Sequence, residues 1–270
     1  MTFKHLPFKP LALAIAVALA APLGWADDHD EDDDEIPFDV AEIFFELNDT
    51  DGDLGIHALI DGEPWKRLVI EDSRGRKLLN VRVQRTLRRQ GLTEFFFESA
   101  EPTFDELDPL DFFRRFPKGE YEVEGVTLDG QEMESETWVS HLMPEPPQPT
   151  VNGVPFATEC DDEEPDEYNP TIVDSLPITI AWPDVTMSHP DADGAGAGVQ
   201  PPEPVTIVNY QLVVEVEDAV FSLILPPGET SVTLPDSLLG IGDEFKYEVL
   251  AREESYNQTA TESCFVLELD

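Results

Sequence analysis

The sequence predicts an all-β protein of two β-sandwich domains that follow a signal peptide. Two observations lead to this prediction. Short runs that alternate apolar with polar residues recur along the chain, separated by turns rich in Gly, Asp and Pro. Only one short helix is indicated among them. With 270 residues, 41% of them hydrophobic, the chain has enough apolar material for two cores.

The first 26 residues have the pattern of an export signal. Lys4 and Lys9 give a positive start, residues 11–21 form an apolar stretch, and residues 24–26 offer the small side chains that a signal peptidase reads. We predict cleavage after Ala26 and export to the periplasm or out of the cell. The apolar stretch is shorter than the about 20 residues of a membrane-spanning helix, and no second long run follows. We therefore expect no membrane insertion after cleavage.

The chain is strongly acidic, with 58 Asp and Glu residues against 16 Lys and Arg residues, a formal charge of −42 and a pI near 4.1. Such a surface repels nucleic acid and anionic membranes, which excludes both as partners. The run DDHDEDDDE repels itself, so we predict a disordered acidic leader over residues 27–36. The composition resembles that of proteins from salt-loving microorganisms, and we expect lower stability at low salt. A calcium-rich matrix would favour the same composition.

A proline-dense stretch, MPEPPQP at residues 143–149, divides the remainder of the chain. It favours an extended linker or an entering edge strand, and we place a domain boundary near Pro146. The N-terminal half, residues 37–145, has 12 basic and 25 acidic residues. The C-terminal half, residues 146–270, has 2 basic and 25 acidic residues. The C-terminal half is therefore almost purely anionic.

Short strands are predicted throughout the N-terminal half. Turn signals at Asp61-Gly62 and Arg74-Gly75 separate four of them. The run of three phenylalanines at residues 95–97 suits a strand that is buried on both faces. The last two strands are expected to form a hairpin through Asp129-Gly130. The predicted strands cover residues 41–47, 55–60, 67–71, 78–83, 93–98, 120–125 and 133–142.

One helix of about two turns is predicted in the N-terminal half. Asp108 can cap it, and Pro109 fits the first helical turn. Asp111 at its start and Arg114-Arg115 at its end match the helix dipole. Apart from these elements, the N-terminal half resembles no family of known function.

Three segments of the C-terminal half carry a recognisable pattern: ITIAW at 178–182, VNYQLVVE at 208–215 and LGIGDEFKYEVLA at 239–251. They resemble strands of a fibronectin type III domain, in which an early strand supplies a core Trp and the next begins near a Tyr. The resemblance covers residues 146–270 and implies an immunoglobulin-like sandwich. The residues that match in type and spacing are Trp182, Tyr210, Leu239, Gly242, Val249 and Ala251.

Two features depart from the family pattern. The family's corner Tyr falls on Phe245, which has no hydroxyl group, so the corner is expected to be held by packing without a hydrogen bond worth about 1 kcal/mol. Two insertions, at residues 152–170 and 187–204, are rich in Pro, Gly or acidic residues. We expect both to be exposed loops.

The chain has two cysteines, Cys160 in the first insertion and Cys264 in the last predicted strand. In an exported protein a single disulfide is the expected state of such a pair. Closing a loop of about 100 residues contributes up to roughly 4.7 kcal/mol in the chain-entropy model. A structural role is favoured over redox activity, because no CxxC pair occurs and no basic neighbour would lower a thiol pKa.

The segment NDTDGDLG at residues 48–55 is the sharpest local motif. Asp49, Asp51 and Asp53 lie two apart, which in a tight loop can turn three carboxylates toward one calcium ion. The pattern resembles the start of a calcium loop. It departs from the EF-hand at Leu54, where that loop has Gly, and at Ile60, where it has Glu. A hairpin turn with solvated acidic residues explains the same segment, so calcium is a possible cofactor rather than an assigned one.

Nine of the basic residues lie between Lys66 and Arg89. They can form a docking patch for an acidic partner, including the C-terminal half of a second copy of this chain, and a head-to-tail contact of that kind builds open filaments. The simpler interpretation is that they pair with neighbouring carboxylates.

No catalytic motif is present: the sequence contains no GxSxG, no glycine-rich phosphate loop and no HExxH. His57, His141 and His189 are isolated, and each is expected to be a strand or loop residue. The leading hypothesis is therefore an exported, non-enzymatic binding, adhesion or envelope-structural protein with a protein or glycan partner. The alternative is a calcium-dependent carbohydrate-binding module, which needs Asp49, Asp51 and Asp53 to converge and Trp65 or Trp138 to be exposed. A secreted hydrolase would need a concave pocket with two carboxylates.

Overall fold

The computed structural model describes residues 35–160, 168–190 and 202–269. The predicted signal peptide and almost all of the predicted acidic leader lie outside the described residues. Over the described residues the fold is all-β, with fifteen strands and three short helices. No helix in this part of the chain is long and apolar enough to span a membrane.

The N-terminal half is built around one long strand whose two parts pair with different neighbours in the same sheet. Each part pairs with one strand on either side. A hydrophobic core fills the space between the two parts. The elements of this half are β1 (Val40–Asn48), β2 (Asp53–Glu71), β3 (Lys77–Arg82), α1 (Arg85–Gln90), β4 (Leu92–Glu98), α2 (Pro109–Arg115), β5 (Gly119–Thr127) and β6 (Glu132–Val139).

The predicted turn at Asp61-Gly62 is wrong, because β2 continues through it. The pairing of β2 with β4 shifts register between Asp61 and Trp65, so the strand is bulged and bent there rather than broken. Trp65 is fully buried just after the bulge and anchors the second part of β2 in the core. A bulge re-aims a strand without ending it, which is why a turn signal at this point gives a bend.

The prediction that residues 93–98 form a strand buried on both faces is also wrong. β4 pairs only with β2 among the described strands, and Phe95, Phe96 and Phe97 are each half-buried. Phe95 and Phe97 pack against the core from its margin. The cluster of aromatic residues therefore covers a sheet edge instead of passing through the interior.

Other local predictions in this half are confirmed. Asp108 caps α2 by accepting a hydrogen bond from the backbone N–H of Leu110. Gly75 and Gly130 adopt positive φ at the two turns where they were expected, the second of them in the β5–β6 hairpin. Helix α1 was not predicted, and none of its side chains is buried.

Two buried aromatic residues show how the core of the N-terminal half is fixed. The ring of Phe45 meets those of Phe112 and Phe113 edge to face, at centroid distances of 5.6 and 5.4 Å. These contacts dock α2 on β1. Tyr121 is buried and donates its hydroxyl hydrogen to the carbonyl of Pro117 at 2.9 Å, which ties the start of β5 back to the preceding loop.

The C-terminal half is a sandwich of two sheets. Its elements are β7 (Thr150–Val151), β8 (Val154–Pro155), β9 (Thr171–Val173), β10 (Thr179–Ala181), β11 (Ile207–Val216), β12 (Ala219–Leu225), β13 (Ser231–Thr233), α3 (Asp236–Leu239), β14 (Glu244–Glu253) and β15 (Gln258–Leu267). One sheet has the strand order β13-β10-β7-β8, and the other contains β12-β11-β14-β15, with β9 beside β15. A second hydrophobic core lies between them.

The residues that resemble the fibronectin type III pattern lie in this second core. Trp182 and Tyr210 meet edge to face at 5.6 Å, and the Tyr210 hydroxyl accepts a hydrogen bond from the backbone N–H of Val185. Gly242 is required by close packing, since a β-carbon there would lie 2.9 Å from Val216. Phe245, at the corner position, stacks on Phe265 at 4.6 Å, so packing replaces the missing hydroxyl as expected.

The two halves share a single sheet. β1 and β15 pair in parallel, with Glu46, Leu47 and Asn48 opposite Gln258, Thr259 and Ala260. The sheet order is therefore continuous from β12 to β6, through β11-β14-β15-β1-β2-β5. We call the β1–β15 junction the seam.

The proline-dense stretch packs against both halves instead of forming an extended free linker. Met143, Pro144 and Pro147 are buried. The carbonyl of Pro147 accepts a hydrogen bond from the Thr261 hydroxyl at 2.7 Å. Asn257 reinforces the contact, since its amide donates to the carbonyl of Leu142 and its oxygen accepts from the backbone N–H of Phe45.

Candidate functional site

The shared sheet brings acidic residues from both halves onto one face. Side chains alternate along a strand, so residues that face each other across paired strands project to the same side. Glu248 on β14 lies opposite Glu262 on β15. Glu46 on β1 lies opposite Gln258, and β2 places His57 opposite Glu98 of β4. We call Glu46, His57, Glu98, Glu101, Glu248 and Glu262 the seam cluster.

Three members of the seam cluster converge most closely. The potential ligand atoms of Glu46, His57 and Glu101 lie within 4.8 Å of one another, and they are the one such group among the described residues. His57 Nε2 lies 2.9 Å from Oε1 of Glu101. A β-carbon at Gly55 would lie 2.7 Å from Cγ of Glu101, so glycine leaves the space that the Glu101 side chain occupies.

The imidazole of His57 is held between aromatic rings. Its centroid is 5.3 Å from that of Phe44 and 6.1 Å from that of Phe96. His57 is buried, and its Nε2 faces the carboxylates. Glu46 is held by a short hydrogen bond from the side-chain amide of Gln258. The fold therefore holds the His57 imidazole and the Glu46 carboxylate in place without a bound ligand.

Burial and mutual repulsion shift the pKa values in the seam cluster. Burial raises the pKa of Glu262 to about 7, with a further contribution from Asp51. Burial also raises the pKa of Glu248 well above its ordinary value, and the charges of Glu46 and Glu262 add to this effect. Burial alone would lower the pKa of His57, but the Glu101 hydrogen bond and the Glu46 charge outweigh it, so that pKa is raised. The fold thus favours the protonated form of each of these groups relative to the free side chain.

The predicted calcium residues do not converge. Asp49 Oδ1 lies 2.8 Å from Nε2 of His189, and Asp51 accepts a hydrogen bond from the side chain of Asn48. Asp53 is closer to the seam cluster, where burial and the charge of Glu101 raise its pKa to about 7. The segment is the β1–β2 hairpin turn. Calcium binding by these three residues stays a prediction, without support from their geometry.

The two cysteines are joined. Cys160 and Cys264 form a disulfide with their Cα atoms 5.8 Å apart. This distance lies within the usual range for such bonds. The disulfide attaches the first insertion to β15, which is one of the two strands of the seam.

The two tryptophans of the N-terminal half have opposite environments. Trp65 is buried, and its Nε1 donates to the carbonyl of Thr93 at 3.3 Å. Trp138, on β6, is 62% exposed. Only Trp138 is therefore accessible to a flat ligand such as a sugar ring.

A small pocket opens on the outer face of β5 and β6, with a volume of about 120 Å³. Glu124, Glu132, Glu134 and Arg67 contribute to its lining. Ligand pockets in enzymes are commonly about 300–1,000 Å³, so this one is too small for a typical substrate.

The basic residues between Lys66 and Arg89 are mostly unpaired. Arg76 contacts Asp72, and Lys77 contacts Glu71. The other seven have no carboxylate oxygen within 4.0 Å in the described parts of the chain. Pairing with neighbouring carboxylates, the simpler interpretation, therefore accounts for only two of the nine basic residues. We call this set the basic stripe: Lys66, Arg67, Arg74, Arg76, Lys77, Arg82, Arg85, Arg88 and Arg89.

Sequence reasoning missed the seam cluster. It treated His57 as isolated and assigned no role to Glu46 or Glu101. The alternation in residues 41–47 already placed Glu42 and Glu46 on the face opposite Ile43, Phe45 and Leu47. The alternation does not reveal the pairing of β1 with β15. This contact joins residues more than 200 positions apart, and no local sequence pattern encodes it.

No protein-family model and no curated protein matches the chain. Among solved structures, the fibronectin(III)-like modules of CbhA from Clostridium thermocellum are 11% identical, with 86% of this chain and 93% of that chain covered and a TM-score of 0.29. A 1.5-MDa bacterial ice-binding adhesin is 12% identical, with 88% and 66% covered and a TM-score of 0.26. The extending-region repeats of a large adhesion protein are 11% identical, with 85% and 50% covered and a TM-score of 0.25. TM-scores this low carry no argument about function.

Proposed function

We propose that the protein is an exported, non-enzymatic binding module that docks an anionic protein surface through the basic stripe. The proposal includes a signal peptide at 1–26, an acidic leader at 27–36, a β-sandwich-like domain at 37–145 and a fibronectin type III-like domain at 146–270. The disulfide supports export, since such bonds persist in oxidising compartments.

The observation that carries the proposal is helix α1. It holds Arg85, Arg88 and Arg89, all of them exposed, and none of its side chains is buried. Leu87, in the same helix, is 48% exposed. Arg85 has a positive φ of 53°, an unfavourable conformation for a residue other than glycine. A strained helix that contributes nothing to the core is best explained by a partner that covers it.

The composition of the basic stripe is that of an interface. Seven of its nine members are arginines, which are enriched at interfaces, whereas lysine is depleted there. The exposed Leu78 and Leu87 add apolar contact area beside the charges. In addition, Arg67 Nε is buried and has no hydrogen-bond acceptor in the described residues.

The partner that fits the stripe is the C-terminal half of a second copy. That half has 25 acidic residues and 2 basic residues, so its surface complements the stripe in sign. Two different surfaces meet in such a contact, which makes it head to tail and allows open chains of copies to form.

Sedimentation velocity at increasing protein concentration tests this proposal. We expect the chain from residue 27 to 270 to self-associate at about 0.15 M salt, and the association to weaken at 1 M, where the Debye length falls to about 3 Å. Replacing Arg85, Arg88 and Arg89 by Gln should abolish association. The matched control replaces Arg114 and Arg115, two exposed arginines in the last turn of α2, by Gln.

Two outcomes would overturn the proposal. If the triple variant and the wild type associate equally, the stripe is not the docking surface. If the wild type stays monomeric but binds poly-aspartate through the same arginines, the partner is a different anionic molecule.

The exposed Trp138 supports a second candidate function, the carbohydrate-binding module. It requires a sugar to stack on this ring. Calcium is the cofactor of this candidate, and the separated positions of Asp49, Asp51 and Asp53 do not support that part of it. Quenching of tryptophan fluorescence by a glycan, in calcium but not in chelator, and its loss on Trp138→Ala would support that function.

A further inference from the structure

The carboxylate of Glu248 is left uncompensated by the fold. Only 8% of the residue is exposed, and its side chain has no hydrogen-bond or ion-pair partner in the described residues. The charges that act on it belong to other carboxylates of the seam cluster, with Glu46 first and Glu262 next. A buried carboxylate without a positive partner is unfavourable unless it takes up a proton or a cation lies near it, so the seam cluster as a whole attracts cations.

We propose that Glu46, His57 and Glu101 bind a zinc-class divalent cation. The donor set is one imidazole nitrogen and two carboxylates. Tetrahedral zinc with bonds of about 2.0–2.1 Å places its ligand atoms about 3.3 Å apart. The three ligand atoms already lie within 4.8 Å of one another, and small side-chain adjustments are sufficient to form the site.

The imidazole decides the class of metal. Calcium and magnesium are hard cations that take oxygen ligands, whereas imidazole suits zinc and similar transition ions. A site for calcium alone would not need His57, which is buried between two aromatic rings with Nε2 directed at Glu101.

Neighbouring groups are placed to support the ligands. Gln258 donates a hydrogen bond to Glu46, and such outer contacts orient metal-binding carboxylates. Gly55 provides the space that lets Glu101 reach His57. Arg252 pairs with Glu42 at 2.7 Å, so its charge is already engaged beside the site.

The site lies at the seam. Its ligands come from β1, β2 and the loop after β4, all in the N-terminal half. The C-terminal half reaches the site through the hydrogen bond from Gln258 to Glu46. The predicted role of the cation is therefore to fix Glu46 at the seam, independently of what the basic stripe binds.

Isothermal titration of the chelator-treated chain, residues 27–270, with Zn²⁺ tests the proposal. A background of 0.5 M NaCl and 5 mM Mg²⁺ suppresses weak binding to surface carboxylates. We expect one saturable Zn²⁺ site per chain and weaker binding of Ca²⁺. Co²⁺, used as a spectroscopic probe, should give visible absorption bands with nitrogen and oxygen ligation.

Two variants and a matched control identify the ligands. Glu101→Gln preserves size and hydrogen bonding to His57 and should weaken Zn²⁺ binding at least about 100-fold, since loss of an outer contact alone costs 10–100-fold. His57→Asn should abolish the Co²⁺ spectrum. The control is His189→Gln, which disrupts a second imidazole–carboxylate contact of the described residues, to Asp49 at 2.8 Å, and should leave binding unchanged.

Three results would overturn the proposal. They are the absence of a saturable Zn²⁺ site in the folded wild type, equal affinity in the wild type and the folded Glu101→Gln variant, and tighter binding of Ca²⁺ than of Zn²⁺. Far-UV circular dichroism establishes that each variant is folded.

Discussion

The seam cluster consists mainly of acidic residues and the basic stripe of basic residues, and the two groups differ in burial. Arg85, Arg88 and Arg89 of the stripe are exposed, so water solvates them and they remain available to a partner. Glu248 and Glu262 of the seam are removed from most of the solvent, so their charge must be neutralised inside the fold. Burial thus determines whether a group of like charges affects stability or recognition.

The largest expected effect comes from breaking the seam at Asn257. This buried amide donates to the carbonyls of Ser140 and Leu142 and accepts from the backbone N–H of Phe45. Asn257→Ala leaves all three backbone groups without this partner and should reduce the free energy of unfolding by about 2–4 kcal/mol. Urea denaturation monitored by fluorescence measures the change.

A conservative variant and a control refine this prediction. Asn257→Asp retains the acceptor for Phe45 but loses the hydrogen bonds that the amide donates to Ser140 and Leu142, so it should also destabilise the chain. Asn80→Ala, on the exposed face of β3, should change stability by less than about 0.5 kcal/mol. Equal effects of Asn257→Ala and Asn80→Ala would show that Asn257 does not hold the seam.

An intermediate effect is expected from pH. The pKa of Glu262 is raised from 4.5 to about 7 in the folded chain. Between these two values the unfolded chain loses a proton that the folded chain keeps, so stability falls as pH rises through this window. Asp51, Glu215, Glu248 and Lys246 are the charged groups that face Glu262.

Thermal unfolding in chelator from pH 4.5 to 8 tests the pH dependence. Glu262→Gln removes the titrating group, so the decline in midpoint should be smaller in this variant than in the wild type. The matched control is Glu120→Gln on the exposed face of β5. An unchanged pH profile in Glu262→Gln would refute the prediction.

The comparison also shows what the sequence can and cannot predict. The hairpin at Asp129-Gly130, the cap at Asp108 and the core positions of Trp182 and Tyr210 depend on short-range patterns, and the structure confirms them. The continuous β2 strand and the seam depend on which strands meet. Asp61-Gly62 has the residues of a turn, and only the buried Trp65 and the pairing on both sides of β2 keep the strand intact.

The basic stripe illustrates a partial success of the same kind. Its residues were identified from the sequence, but the amino-acid sequence alone does not show which charged side chains form ion pairs. The structure pairs only Arg76 and Lys77 with carboxylates among the described residues. It also shows that α1 is a helix without a buried face, which is the feature that favours a docking role.

The smallest expected effect on stability comes from neutralising the stripe. Replacing Arg85, Arg88 and Arg89 by Gln removes three exposed side chains that have no ion-pair partner in the described chain, so the free energy of unfolding should change by less than about 0.5 kcal/mol per residue. The same urea denaturation used for Asn257→Ala measures this. A loss of several kcal/mol would mean that α1 supports the fold, and its lack of buried side chains would then need an explanation other than a partner. A small loss together with lost self-association would separate recognition from stability within one chain.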